Sequence, residues 1–174
     1  VFPYTFADVV RTLNETQPFD WATFWTTRLN ALTTSPQTEG FEAAGYSYIT
    51  AEDMTPNEAS FIKPSHSADM LFSLGFFADS DGTLNDVWMG SPAFVAGLGP
   101  GDKLTAVNGQ PYTADLLTNA VHDSKTIMAP IALTASREGK TATYTIDYHG
   151  GEKYVALKRN RNPDALTKIL SPLR

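Results

Sequence analysis

The sequence predicts an α+β fold. A small, partly open β-barrel of five to six strands with two helices is preceded by a helical hairpin and followed by a short C-terminal helix. Three observations carry this. The first 34 residues have apolar positions at helical spacing. Residues 41–150 are rich in β-formers punctuated by glycine turns. Within them, "SPAFVAGLGPGDKLTAVNGQ" (Ser91–Gln110) sets a short helix, a glycine turn and a hairpin strand in sequence.

In the first 34 residues, Thr5 precedes an apolar set at Phe6, Val9, Val10 and Leu13, and Thr5 with Asp8 approximates a capping box. Pro18 interrupts the pattern. Asp20 then caps a second helix that carries Trp21, Phe24, Trp25, Leu29 and Leu32 on one broad stripe. Two helices cannot bury so many aromatics between themselves. The stripe therefore implies a cover from another domain or a second chain, and a homodimer through these helices is one such partner. "TTSPQTEG" (Thr33–Gly40) reads as a linker. The expected organisation is a hairpin at 1–34, a linker at 35–40, a β-rich domain at 41–150 and a terminal strand and helix at 151–174.

The β-rich domain opens with a strand at Gly45–Thr50, and the polar stretch "AEDMTPNEASFIKPSHS" reads as a long loop. Phe76–Asp79 and Thr83–Met89 form a hairpin about Ser80-Asp81-Gly82. Asp79 and Asp81 lack the further oxygen ligands and the distal Glu of a calcium loop. Ser91 is an N-cap, Pro92 a first helical residue and Gly97 a left-handed stop. Lys103–Val107 is a strand, turned back at Asn108-Gly109. Leu116, Leu117, Ala120 and Val121 place a helix over Thr113–Asp123, and two strands follow around Glu138-Gly139. Beyond the glycine pair at 150–151 come the strand "KYVALK" and a final helix opened by Asn162 and Pro163, with Leu166, Ile169 and Leu170 on one side.

Composition narrows the function. The chain has 174 residues, 42% of them apolar, enough for one good core. Its net charge is −6, so nucleic acid is a poor partner. Its one basic cluster, Lys158, Arg159 and Arg161, reads as solvated surface. No apolar run approaches the ~20 residues of a membrane span. There is no cysteine, hence no thiolate nucleophile or thiolate zinc site. No Gly-x-Ser-x-Gly elbow is present. His66, His122 and His149 show no metal-ligand spacing, so no catalytic residue, metal ligand or cofactor is expected within these residues.

The run "SLGF", then "GSPAFVAGLGPGDKLTAVNG", a helix, and "IALTASREG" resembles a PDZ domain over about residues 41–150. The resemblance implies a non-catalytic module that holds an extended peptide by strand addition, between Phe76–Asp79 and the helix bearing Leu116–Val121. The amides of Leu74, Gly75 and Phe76 would form a nest for a terminal carboxylate, with Leu74, Phe76, Leu117 and Val121 around the terminal side chain. The implied groove residues are Ser73, Leu74, Gly75, Phe76, Phe77, Ala78, Leu117 and Val121. Many peptide-binding members carry a basic residue shortly before the loop; here Asp69-Met70-Leu71-Phe72 stands there. Two readings stay open: a usable groove, or a degenerate or self-occupied one whose Leu and Phe are core.

The flanks extend the resemblance. "YTFADVVRTLN", "PFDWATFWTTRLNAL" and "ALKRNRNPDALTKILSPL" around that cassette are similar to the C-terminal part of PDZ-bearing glycyl aminopeptidase-type metallopeptidases. This implies a preceding thermolysin-like domain whose zinc sits on His-Glu-x-x-His and a downstream Glu, none of which is in this sequence. Val1 is not Met, and the chain is expected to be a fragment of such a protein. Its partners would be a peptide or protein segment and the catalytic domain of the same chain. Family members are often exported. Two rivals remain: a free-standing peptide-binding adaptor, and the PDZ module of a periplasmic serine protease. An upstream His-Glu-x-x-His favours the first reading, a natural start near Val1 the adaptor, and an upstream Gly-x-Ser-x-Gly the protease.

Overall fold

The structure, a computed structural model, describes residues 3–32, 38–161 and 164–172. It is mixed α/β, with seven helices and nine strands among the described residues. It divides into two compact units, Val1–Gln37 and Thr38–Arg174.

The first unit holds α1 (Phe6–Thr16) and α2 (Trp21–Asn30). Thr5 and Asp8 form a reciprocal capping box on α1, and Asp20 accepts the Thr23 amide at the start of α2. Phe19, Trp21, Phe24 and Trp25 meet edge to face, and the Arg28 guanidinium lies 3.7 Å from the centre of the Phe24 ring. No residue of either helix is fully buried. Residues 33–37 of the expected linker lie outside the described residues.

The second unit begins with α3 (Glu39–Ala44), where the tail of the linker was expected, and ends with α7 (Ala165–Leu170). Asp164 caps α7; Asn162 and Pro163, expected to open it, lie outside the described residues. Between these helices run three separate sheets, and no closed barrel forms among the described residues. One sheet pairs β1 (Tyr46–Ala51) with β9 (Tyr154–Arg159). The second has the order β2-β3-β4: Ala68–Met70, Phe76–Ala78 and Leu84–Val87. The third has the order β6-β5-β7-β8: Gln110–Pro111, Lys103–Val107, Ile131–Arg137 and Lys140–Ile146. Residues 41–150 thus hold eight strands rather than five or six. The two added ones are short: β2 has three residues and β6 has two; β1, which was expected, pairs with β9.

The expected long loop at 51–67 contains α4 (Pro56–Ser65). Thr55 Oγ1 accepts the Glu58 amide at 3.2 Å, and Glu58 Oε2 accepts the Thr55 amide at 3.2 Å, with Pro56 in the first turn. That is a complete capping box. Polar composition and Pro64 in the last turn hid it. The left-handed residue that ends α4 is His66, at φ 54°, which gives that histidine a structural role.

α5 (Pro92–Ala96) and α6 (Ala114–Asp123) follow the sequence closely. Ser91 Oγ accepts the Phe94 amide, Gly97 stops α5 at φ 102°, and Thr113 Oγ1 caps α6. Asn108 and Gly109 both have positive φ at the β5–β6 turn, which their residue types tolerate. Asp102, 1% exposed, is held by a two-pronged ion pair with Arg137 at 2.6 Å for each contact and by the Gly99 amide at 2.8 Å. It ties the glycine turn to β7.

Replacing Thr55 with Ala should lower unfolding stability by about 1 kcal/mol, the usual worth of such a cap. Urea denaturation with helical circular dichroism checks it. No change would mean that α4 is held by packing alone.

Candidate functional site

The candidate groove residues fall on three elements. Ser73, Leu74 and Gly75 lie in the loop between β2 and β3, Phe76, Phe77 and Ala78 form β3, and Leu117 and Val121 sit one turn apart on α6. Leu74, Phe76, Ala78, Leu117 and Val121 are fully buried, Ser73 is nearly so, and Phe77 is half-buried. All but Ser73, Gly75 and Phe77 belong to one continuous apolar core.

The eight residues are thus brought to one region, with another strand among them. β2 pairs antiparallel with β3, in the register Ala68–Ala78, Asp69–Phe77 and Met70–Phe76, and α6 packs against β2. β4 takes the other edge of β3. Neither edge of β3 is therefore free. The residues that sequence reasoning missed are Ala68 and Met70, both buried, alternating with the partly exposed Asp69. The signal was an in–out–in alternation in "ADM", too short to stand out from the loop beside it.

The loop explains how β2 is held. The Met70 carbonyl accepts the Gly75 amide at 2.8 Å and the Ser73 amide at 3.1 Å, and the Ser73 hydroxyl also donates to it at 3.3 Å. The outer carbonyls of the same loop are used as well. Leu74 O accepts from the Ala93 amide at 3.0 Å, and Gly75 O from the Trp88 amide at 2.8 Å. The loop therefore fastens β2, β3, the end of β4 and α5 together. Gly75 has φ +88°, and a methyl there would overlap the Ser91 side chain. Only glycine meets both demands.

Asp69 is the one charged residue of β2. Its carboxylate accepts the Leu71 amide at 3.0 Å. Burial first, and then the nearby Glu58 carboxylate, raise its pKa above the ordinary 3.8, against the lowering effect of the Leu71 amide. Tyr154, also buried, is pushed up to about 12 by desolvation and by Glu152, Asp69, Glu58 and Asp53. These carboxylates mark an acidic region beside β2. A cleft of about 570 Å³ opens between α4 and α6, lined among others by Asp53, Ile62, Lys63, Asp115, Thr118 and Glu152.

Among the described residues no group of three or more His, Asp or Glu is placed to hold a metal ion. His122 Nδ1 lies 2.7 Å from Glu152, and His149 Nε2 lies 2.8 Å from Asp147. His122 is exposed, one residue beyond the buried Val121. No helix is long and apolar enough to cross a membrane, among the described residues.

No family model matches this sequence, and no curated protein matches it. Among solved structures, an aminopeptidase N family protein from Idiomarina loihiensis superimposes with a TM-score of 0.61 at 17% identity. The match covers 97% of this chain and 29% of that one, so this chain spans less than a third of that protein's length. At this identity the likeness is one of fold. The HtrA3 PDZ domain bound to a phage-derived ligand, FGRWV, matches with a TM-score of 0.34 at 16% identity, over 74% of this chain and all of that one. A score so low does not bear on the fold.

Two substitutions probe the loop and the strand. Gly75→Ala should cost about 2–5 kcal/mol, the sum of a left-handed alanine and an overpacked contact. Gly101→Ala, at φ +85° with open space around it, should cost only about 1–2 kcal/mol. Equal losses in thermal unfolding would show that the Ser91 contact contributes nothing. Asp69→Asn keeps an acceptor for the Leu71 amide and removes the partly buried charge. Below about pH 3.8 the native carboxyl is protonated in both folded and unfolded chains, and the variant should match it. As pH rises through the raised folded pKa, ionisation of Asp69 costs stability. The variant should then melt at a higher temperature at pH 7, and an advantage that persists at pH 3 would contradict the electrostatic cause.

Proposed function

We propose that this chain is a non-catalytic module of a larger aminopeptidase-like protein, and that its Thr38–Arg174 unit positions peptide or protein segments or packs on the catalytic domain. The observation that carries this reading is the superposition of 97% of the chain on 29% of an aminopeptidase N family protein. A module that shares its path with part of a longer protein is suited to serve the rest of it. The apolar stripe of the first unit supports the same reading. Leu29 on α2, Phe19 just before it and Leu32 just after it are well exposed and Trp25 is partly so, and neither helix has a fully buried residue. Such a stripe gains most from a cover.

In this reading a zinc ion and the peptide-bond chemistry would belong to a separate catalytic domain. This unit contributes binding energy and placement. Its cassette resembles a PDZ domain in sequence, which points to an extended peptide segment rather than a small molecule as its ligand.

The test uses the native-length protein. Zinc near one per chain, with chelator-sensitive release of N-terminal glycine or alanine from small amide substrates, is the expected result. Removal of residues 38–174 should spare the release from single-residue amides and reduce it from longer peptides. Absence of both zinc and release would overturn the reading and leave a free-standing binding module.

A further inference from the structure

We propose that β8 is a homodimerisation edge. Its outward backbone at Thr141, Thr143 and Thr145 pairs antiparallel with the same strand of a second copy of this chain, about a twofold axis at Thr143. The contact uses neither β3, nor α6, nor the first unit.

β8 ends the sheet β6-β5-β7-β8 and pairs with β7 alone. The register runs without a bulge from Ile131–Ile146 to Arg137–Lys140. Glu138 and Gly139, at the turn, have φ 50° and 79°, as a two-residue type I′ turn requires. Such a turn makes Arg137 and Lys140 a hydrogen-bonded pair, and antiparallel pairs alternate from there. Ala142, Tyr144 and Ile146 therefore bond to β7, while Thr141, Thr143 and Thr145 turn their N–H and C=O groups to the free side. Among the described residues, none of these outward groups has a hydrogen-bond partner.

Folded chains protect such an edge with proline, a bulge, charge or a covering element. The opposite edge of the same sheet, β6, is two residues long and carries Pro111. Residues 141–146 carry neither proline nor charge, and Thr141, Ala142, Thr143 and Thr145 are exposed.

A second copy fits because β8 is its own complement. With Thr143 opposite the partner's Thr143, Thr141 faces the partner's Thr145 and every outward N–H meets a C=O. Threonine then faces threonine on one side of the sheet. This extends a row already begun within the chain, where the hydroxyls of Thr134 and Thr143 lie 3.1 Å apart. On the other side, the small Ala142 faces the ring of the partner's Tyr144. Lys140 at one end of the strand comes beside the partner's Asp147, just past the other end, and the twofold repeats this pair. α5 packs against β8, so the axis sets both copies of α5 on one side of the joined sheet. Phe94 and Val95 of α5 are exposed there and supply apolar burial that a strand edge alone lacks. A register shifted by two residues leaves outward threonine groups without a partner, and a parallel pairing puts Lys140 beside Lys140.

The test is the mass of the native-length protein by sedimentation equilibrium, from about 1 μM to about 1 mM, the weak end of specific association. A dimer should form within that range. Thr143→Pro removes the central outward N–H, which an edge strand tolerates, and Thr143→Lys sets like charges face to face at the axis. Each should weaken the dimer at least about tenfold while leaving the circular dichroism of the monomer unchanged. Lys140→Glu alone and Asp147→Lys alone should each weaken it about threefold, and the two together should restore it. A protein that stays monomeric throughout overturns the proposal. So does a dimer that both Thr143 variants leave intact, because its interface then lies elsewhere. Hydrogen exchange needs no variant. The amides of Thr141, Thr143 and Thr145 should exchange fast in the monomer and slow as the dimer forms. Protection of all three in the monomer would mean that another part of the same protein covers the edge, and would overturn the proposal as well.

Discussion

The Met70 carbonyl, caught by the amides of Ser73 and Gly75, is the contact on which the arrangement of the larger unit depends. It ends β2 at Met70 and begins β3 at Phe76. In doing so it brings Leu74 and Gly75 into range of Ala93 and Trp88, so that α5 and the end of β4 hang from the same five residues. The backbone there is left-handed at Gly75 and packed directly against Ser91, the residue that caps α5. One turn thereby determines where a sheet closes and where a helix starts. A buried amide left without an acceptor costs about 1–3 kcal/mol, and the loop has a use for each of the amides and carbonyls named here.

The same contact shapes the functional reading. The edge of β3 toward α6 is taken by β2 of the same chain. Ala68 and Met70 of β2 are buried in the same core as Leu117 and Val121. Whether such residues count as pocket or as core is a matter of what lies over them. Asp69 adds to that strand a charge whose ionisation is opposed by burial and by Glu58. Separately, the first unit keeps its aromatic side chains in contact with one another and with Arg28 while leaving an apolar surface for a cover.

Much of the fold was legible because its signals are local. Ser91-Pro92 with Gly97, Asn108-Gly109, Asp20 and Thr113 each act within four or five residues, and each does in the structure what its chemistry requires. The Thr55-Pro56-x-Glu58 signal is equally local, but the polar stretch around it and Pro64 mask the helix it opens. β2 and β6 were hidden for a different reason: two or three residues are too few to show a period.

The sequence by itself determined the caps of α1, α2 and α5, the hairpin turns and the acidic charge. Only the tertiary structure decided that Tyr46–Ala51 pairs with Tyr154–Arg159, that Asp102 meets Arg137, and that Ala68–Met70 lies along β3 beside α6. The physical reason is that caps and turns are satisfied by neighbours in the chain, where few alternatives exist. Strand edges offer the same backbone donors and acceptors to any partner, so the choice among them falls to side-chain packing and loop closure over the whole unit.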